Sequence, residues 1–267
     1  MTELPKIGLG TSQNDEPERC AESVATALEI GYRHVDTARL YGNESYVGEG
    51  VRRASVPREE VVVATKIHED RNAYDAVLEE AEASRKRLGV DSIDLLYVHF
   101  PIGDYAPEET LPALDELRDR GTIRDVAVSN FSAEQVADAI DALDAPLIAN
   151  QVEMHPLLPP DEALLESARQ HGYRLVAYAP FCRAEAFGVA EVETVAEKHG
   201  VSQAQAILAW LWSYDNVVAI PKGTSEAHIR DNFEAQSLTL DPEDVELIDS
   251  IEERRRRFDR AEVHWNQ

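Results

Sequence analysis

Four ionisable side chains stand at or just beyond the ends of short apolar runs. Asp36 falls near the end of YRHVDT (32–37), and Tyr41 follows it by five residues. Lys66 closes VVVATK (61–66), and His99 closes DLLYVH (94–99). Reducing a carbonyl needs a hydride at carbon and a proton at oxygen. A tyrosine with an ordinary pKa near 10 is a poor proton source at neutral pH. An ammonium beside it favours the phenolate and lowers that pKa, and Lys66 can supply one. Asp36 can keep Lys66 charged and in place. His99 can donate a hydrogen bond to the carbonyl oxygen and orient the substrate.

Such a set must be brought together by the elements that carry it. Eight β-like runs recur: 5–11, 32–37, 61–66, 94–99, 124–130, 147–153, 174–180 and 216–222. Most are nearly continuous Val, Ile, Leu and Ala, as in parallel strands buried on both faces. Charged amphipathic stretches lie between them. Helices are expected over 17–30, from 44 after Asn43 as cap, and over 73–88 and 107–120. Further ones are expected over 133–142 after Ser132, 162–171 after Asp161, and 191–213 broken near Gly200 with Ser202 capping the second part. Ser225 is expected to cap 226–233, and Asp241-Pro242 to open a last helix reaching about Arg254. Strands alternating with helices imply βαβ units. Eight units in 267 residues favour an α/β (β/α)8 TIM barrel as one domain over 1–267, with an open doubly wound sheet as the alternative. In such barrels the site sits at the C-terminal strand ends. Those ends also carry Ser129-Asn130, Asn150-Gln151, Glu153, Tyr178 and Lys222.

Several of these residues have plainer readings. GLGTSQ (8–13) lacks the third glycine and the ribose carboxylate of a dinucleotide loop and reads as a tight turn. Lys66 alone could be a Schiff-base lysine or half of a structural Asp–Lys pair. No close ligand spacing joins His99, Asp36 and Glu153, so no metal is expected; His68 and His155 read as polar lining or rim. Tyr178 alone would be core. Trp210 and Trp212 read as helix packing, and Cys182 as a loop thiol. Arg254–Arg257 reads either as a solvated helix end or as the start of a tail, with Phe258, His264 and Trp265, that folds over the strand ends as a substrate flap.

The motifs together resemble the aldo-keto reductase family. GYRHVDTARLYGNESYVGEGVR (31–52) is similar to its first signature, VATKI (63–67) and LLYVHFP (95–101) to the segments around its Lys and His. VSNF (128–131), NQVE, AYAPF and IPKG complete the pattern, in order, over nearly the whole chain. The resemblance implies catalytic Tyr41, Lys66, Asp36 and His99. It implies NADPH, with NADH as the alternative, held by Gly10, Thr11, Ser129, Asn130, Gln151, Tyr178 and Lys222, with His228, Asp231 and Asn232 near the adenosine end. The prokaryotic diketogluconate-reductase-like subgroup is the nearest in pattern. The chain departs from the family in several places. His228 replaces an Arg, and Gly223 a Ser. Ser12 and Phe100 stand where Trp is common, and the position two after Lys66 is His68. The loop PFCRAEAFG after Tyr178 is short. Ser12, His68, Phe100 and Trp265 are thus expected to line a pocket less aromatic than in many relatives, suited to small or polar carbonyls.

The formal net charge is −25, with 51 acidic against 26 basic residues, only five of them Lys. Such self-repulsion destabilises a compact chain in dilute buffer, and salt relieves it by cutting the Debye length to about 3 Å at 1 M. A salt-adapted, halophilic source and a reducing cytoplasm are the expectation. The acidic balance disfavours nucleic acid as a partner. No run is long enough for a membrane span, and no secretion signal is evident. The chain is expected to be a monomer acting on a small carbonyl compound. Two other functions stay open from sequence: a nicotinamide-binding redox sensor with little turnover, and a lyase using Lys66.

Overall fold

The computed structural model describes residues 2–259 and 262–263. Eight strands form one sheet in the order β1 to β8, each parallel to its neighbours. They are β1 (Leu9–Gly10), β2 (His34–Asp36), β3 (Val62–Ile67), β4 (Ile93–Val98), β5 (Ile123–Ser129), β6 (Leu147–Glu153), β7 (Arg174–Tyr178) and β8 (Val217–Ala219). Between and after them run α1 (Pro17–Ile30), α2 (Glu44–Arg53), α3 (Tyr74–Leu88), α4 (Pro107–Asp119), α5 (Ala133–Ala142) and α6 (Glu162–His171). They are followed by α7 (Ala190–His199), α8 (Gln203–Leu211), α9 (Glu226–Glu234) and α10 (Pro242–Asp249). The sheet curls so that Ile7 bridges Ala219 and Gly10 bridges Lys222, joining its first and last strands. Gly10 is required there: a Cβ would lie 2.6 Å from the Ile220 carbonyl oxygen.

The two-residue side-chain period of a strand sorts the chemistry. On β3, Val63 and Ile67 join the larger apolar cluster shared with the helices, while Val62 and Ala64 join a smaller cluster inside the curl. Lys66 continues the inner row. Leu95 and Tyr97 belong to the inner cluster, with His99 next in register; Val176 and Tyr178 do the same on β7, and Val218 and Ile220 lead toward Lys222. Apolar side chains thus fill the inside below, and the same rows end in polar groups.

The helix signals hold closely. Ser132 with Gln135 and Ser202 with Gln205 form reciprocal capping boxes, and Asp161 caps α6 through the amides of Ala163 and Leu164. Two expectations fail. Asn43 stands at the N-cap position of α2, which starts at Glu44 as expected, but its side chain does not cap the helix; its amide instead accepts from Thr37 Oγ1 at 2.7 Å and donates to the Thr11 carbonyl at 2.9 Å, tying β1 to β2. The last helix stops at Asp249 rather than near Arg254, so the arginine run is not a helix end. Residues 251–259 instead cross back over the strand ends, where the Arg255 amide donates to the Leu157 carbonyl at 2.8 Å. Among the described residues no helix is long and apolar enough to cross a membrane.

Candidate active site

The Lys66 ammonium is buried and donates to Asp36 Oδ1 and, at 2.8 Å, to the Thr37 carbonyl. Asp36 is held from the other side by the Gln151 amide, which donates to Oδ2 at 2.8 Å. Burial opposes the Lys66 charge, but Asp36 and Tyr41 outweigh it and the pKa is raised. A lysine kept protonated is no nucleophile, which argues against the Schiff-base reading.

Tyr41 ends a 3-10 turn (Arg39–Tyr41) directly after β2. Gly42 adopts a left-handed φ of 66° and closes the turn, leaving the tyrosine against the strand ends. The Lys66 ammonium lies 5.3 Å from the Tyr41 ring centroid, and the His99 ring packs edge-on to Tyr41 at 6.1 Å. The expected lowering of the Tyr41 pKa is not found. Burial is the largest influence and raises it; the Lys66 charge and hydrogen bonds from Ser12 and Lys66 pull against that, and the net direction is up. The phenol is therefore protonated at neutral pH and suited to give a proton, with Lys66 favouring the anion left behind.

A cavity of about 450 Å³ opens above these groups. It is lined by Gly10, Thr11, Ser12, Asp36, Tyr41, His99, Phe100, Ser129, Asn130, Gln151, Tyr178 and Lys222, all singled out in the sequence. Ser129 Oγ donates to the Gln151 carbonyl at 2.8 Å. Asn130, at a left-handed φ of 65°, donates to the His99 carbonyl at 2.9 Å and accepts from the Tyr178 hydroxyl at 2.8 Å. Burial above all, then the Arg19 charge, lowers the Lys222 pKa; Asp15 opposes them, and Arg183 adds a smaller push downward. Lys222 and Arg183 make no ion pair with the described residues, which leaves a cationic corner in a strongly acidic chain.

Other sequence candidates lie elsewhere. His68 does not line the cavity: it caps a 3-10 turn beside Asp70, 2.6 Å away, and Glu69. His228 is exposed in the first turn of α9, where its amide donates to the Ser225 hydroxyl at 3.3 Å. The Asp231 carboxylate accepts from Ser202 Oγ at 2.7 Å, turning it toward α8, and Asn232 is buried on the same helix. Trp265 and His264 lie outside the described residues.

The cavity also has aromatic walls that the sequence reading of Ser12, His68 and Phe100 did not include. Phe181, Phe187 and Phe258 line the cavity alongside Phe100, and Leu40 and Phe187 are exposed at its rim. These aromatics come from the loop after β7 and from the C-terminal stretch, which no strand pattern places. That loop is strained: Ala179, Cys182, Arg183 and Ala184 all have left-handed φ between 48° and 72°. Non-glycine residues in this region are disfavoured and cluster at functional sites. Two inward residues below the site were legible from period alone. Tyr97 sits under Lys66, with the ammonium 5.7 Å from its ring. His34, two before Asp36, is fully buried, and burial above all lowers its pKa to about 4.

Comparison with known proteins agrees with this geometry. The profile of the Aldo/keto reductase family matches residues 6–253. An aldo-keto reductase of Mycobacterium sp. (strain KMS) is 38% identical over 255 residues, covering 94% of this chain and 90% of the relative. The glyoxal reductase of Bacillus subtilis (strain 168) is 34% identical over 249 residues, covering 93% and 89%. A crystal structure of a Bombyx mori aldo-keto reductase in complex with NADP superposes with a TM-score of 0.85 at 30% identity, covering 93% of this chain and 89% of that one. With the family profile spanning residues 6–253 and a relative 38% identical over 94% of its length, this chain belongs to the aldo/keto reductase family.

Proposed function

We propose that the chain reduces small aldehydes, ketones or keto-sugars to alcohols with NADPH, Tyr41 giving the proton to the carbonyl oxygen. The observation that carries the reading is the Lys66 ammonium, pinned between Asp36 and the Thr37 carbonyl and 5.3 Å from the ring of Tyr41, which lines a cavity. The frame is read as a closed (β/α)8 barrel in one domain, supported by the two bridges between β1 and β8.

The donor set fits a nicotinamide cofactor. Ser129, Asn130 and Gln151 offer hydroxyl and amide groups for a carboxamide, Tyr178 offers an aromatic face beside them, and Lys222 with Arg183 and Arg19 offers positive charge for phosphates. When bound, NADPH supplies the hydride for the carbonyl carbon. The remaining work falls to the chain. His99 orients the carbonyl oxygen toward Tyr41. Tyr41, neutral at working pH, delivers its proton, and the Lys66 charge stabilises the phenolate that remains. Asp36 keeps Lys66 protonated and fixed. His228 in place of the family's Arg weakens the distinction between NADPH and NADH.

The short 1,2-dicarbonyl named for the Bacillus subtilis relative is our first substrate class, and the phenylalanine walls extend it to flat, aryl-bearing carbonyls. A reducing, salt-rich cytoplasm and a monomeric state are part of the same reading, supported by the −25 charge and by two buried, unpaired cysteines. Initial rates with NADPH and NADH over glyoxal, methylglyoxal, phenylglyoxal and a keto-sugar, at high KCl, test it. Cofactor oxidation that depends on the carbonyl is expected. Tight NADPH binding with no turnover of any carbonyl would contradict it and favour a sensing role.

A further inference from the structure

The stretch 251–259 has no regular secondary structure, yet it is fixed at the rim of the cavity. Its chief attachment is Glu153, the last residue of β6. That carboxylate is 5% exposed and accepts from the Arg257 amide at 2.6 Å and from the Phe258 amide at 3.0 Å. His155 Nε2 lies 2.9 Å from Oε1 of the same carboxylate. Glu185, in the loop after β7, adds ion pairs to Arg255 and, at 2.6 Å, to Arg257.

What this anchoring holds is an aromatic wall. Phe258 lines the cavity, packs edge-on to Tyr178 at 5.4 Å between ring centroids, and lies under the Arg183 guanidinium at 5.1 Å. A buried carboxylate is costly unless hydrogen-bonded. Core packing at the end of β6 would be served as well by an apolar side chain. The position instead carries an acceptor matched to two consecutive amides that otherwise have no ladder to join. Its anionic form is favoured by His155 and by those amides over the opposing effect of burial.

We propose that Glu153 is a positioning residue for substrate selection: through the Arg257 and Phe258 amides it fixes Phe258 as the wall that receives the side of the carbonyl compound away from Tyr41. The substrates it favours are those with a flat apolar substituent able to lie against that ring, such as aryl-substituted dicarbonyls. The selectivity rests on the reductase reading; the anchor itself does not.

Two measurements separate these. Hydrogen exchange of the peptide spanning 252–259 is followed in the wild-type chain and in Glu153→Gln, whose amide nitrogen cannot accept. Faster exchange in the variant is expected, and unchanged exchange would overturn the anchor whatever the enzyme does. Steady-state kinetics with phenylglyoxal and methylglyoxal then compare the wild type, Glu153→Gln, Phe258→Ala and the double variant. Each single variant should raise KM for phenylglyoxal about tenfold, with kcat within about twofold and a smaller shift for methylglyoxal. In the Phe258→Ala background, Glu153→Gln should add less than about twofold. Additive effects, an unchanged KM in Phe258→Ala, or a loss confined to NADPH affinity would each overturn the assignment.

Discussion

The Gln151 side-chain amide donates to Asp36 Oδ2 at 2.8 Å, on the opposite oxygen from the one that receives Lys66. A residue read from sequence as a cofactor contact is therefore also a partner of the proton-delivery group. Its other role, through its backbone carbonyl, is to receive Ser129 Oγ and the Asn130 amide. The carboxamide-facing groups and the Asp36–Lys66 pair form one hydrogen-bonded unit spanning β2, β3, β5 and β6.

Breaking that unit on one side should be felt in stability as well as in rate. Lys66→Met leaves Asp36 buried without its cation, and removing one partner of a buried pair costs about 3–5 kcal/mol. Urea unfolding should show this loss. The double change Lys66→Met with Asp36→Leu should recover much of the stability and none of the turnover. Recovery of turnover would show that the pair is purely structural.

His34 predicts an acid limb in the stability profile. Its folded pKa, near 4, lies below the ordinary 6.5, so the unfolded chain binds the proton more readily. The stability tied to neutral His34 is fully present above pH 6.5 and is lost as pH falls toward 4, by about 3 kcal/mol in total. Unfolding free energies measured at both ends should fall more steeply for the wild type than for His34→Leu. Parallel profiles would refute the assignment.

How far the sequence could be read follows from which signals are local. Asp36, Lys66, His99, Gln151, Tyr178 and Lys222 are legible because each stands at or near the end of an apolar run, a signal local to its own segment. Capping boxes such as Ser132–Gln135 are equally local. Phe181 and Phe187 were not assigned, because their place depends on a loop that no strand period fixes; Phe258 was reached only through one of two readings of the tail, because its place depends on Glu153, more than a hundred positions away. Asn43 misled for the same reason: a cap was expected, but two carbonyls and a hydroxyl from the β1 and β2 ends claim its side chain. The sign of the Tyr41 pKa shift was misjudged because one neighbouring charge was weighed without the burial that outweighs it.

Close helix packing gives a prediction outside the site. A Cβ at Gly48 on α2 would collide with the Leu88 carbonyl oxygen at the end of α3, backbone that has no flexible end to move. Gly48→Ala should destabilise by about 1–3 kcal/mol or more despite its better helix propensity. Thermal unfolding of the variant checks this, and a raised Tm would contradict the packing described.

The charge balance predicts a salt response. With a net charge of −25, raising KCl from 0.1 to 1 M shortens the Debye length from about 10 to about 3 Å and should raise the Tm progressively. A Tm independent of KCl would remove the argument for a salt-adapted source.

The central claim is that the Tyr41 hydroxyl supplies the proton. Tyr41→Phe keeps the ring beside His99 and Lys66 and removes only that hydroxyl. Methylglyoxal reduction should fall by about 10²–10⁴-fold in kcat, while NADPH still quenches tryptophan fluorescence with nearly unchanged affinity. Turnover close to that of the wild type would contradict the account.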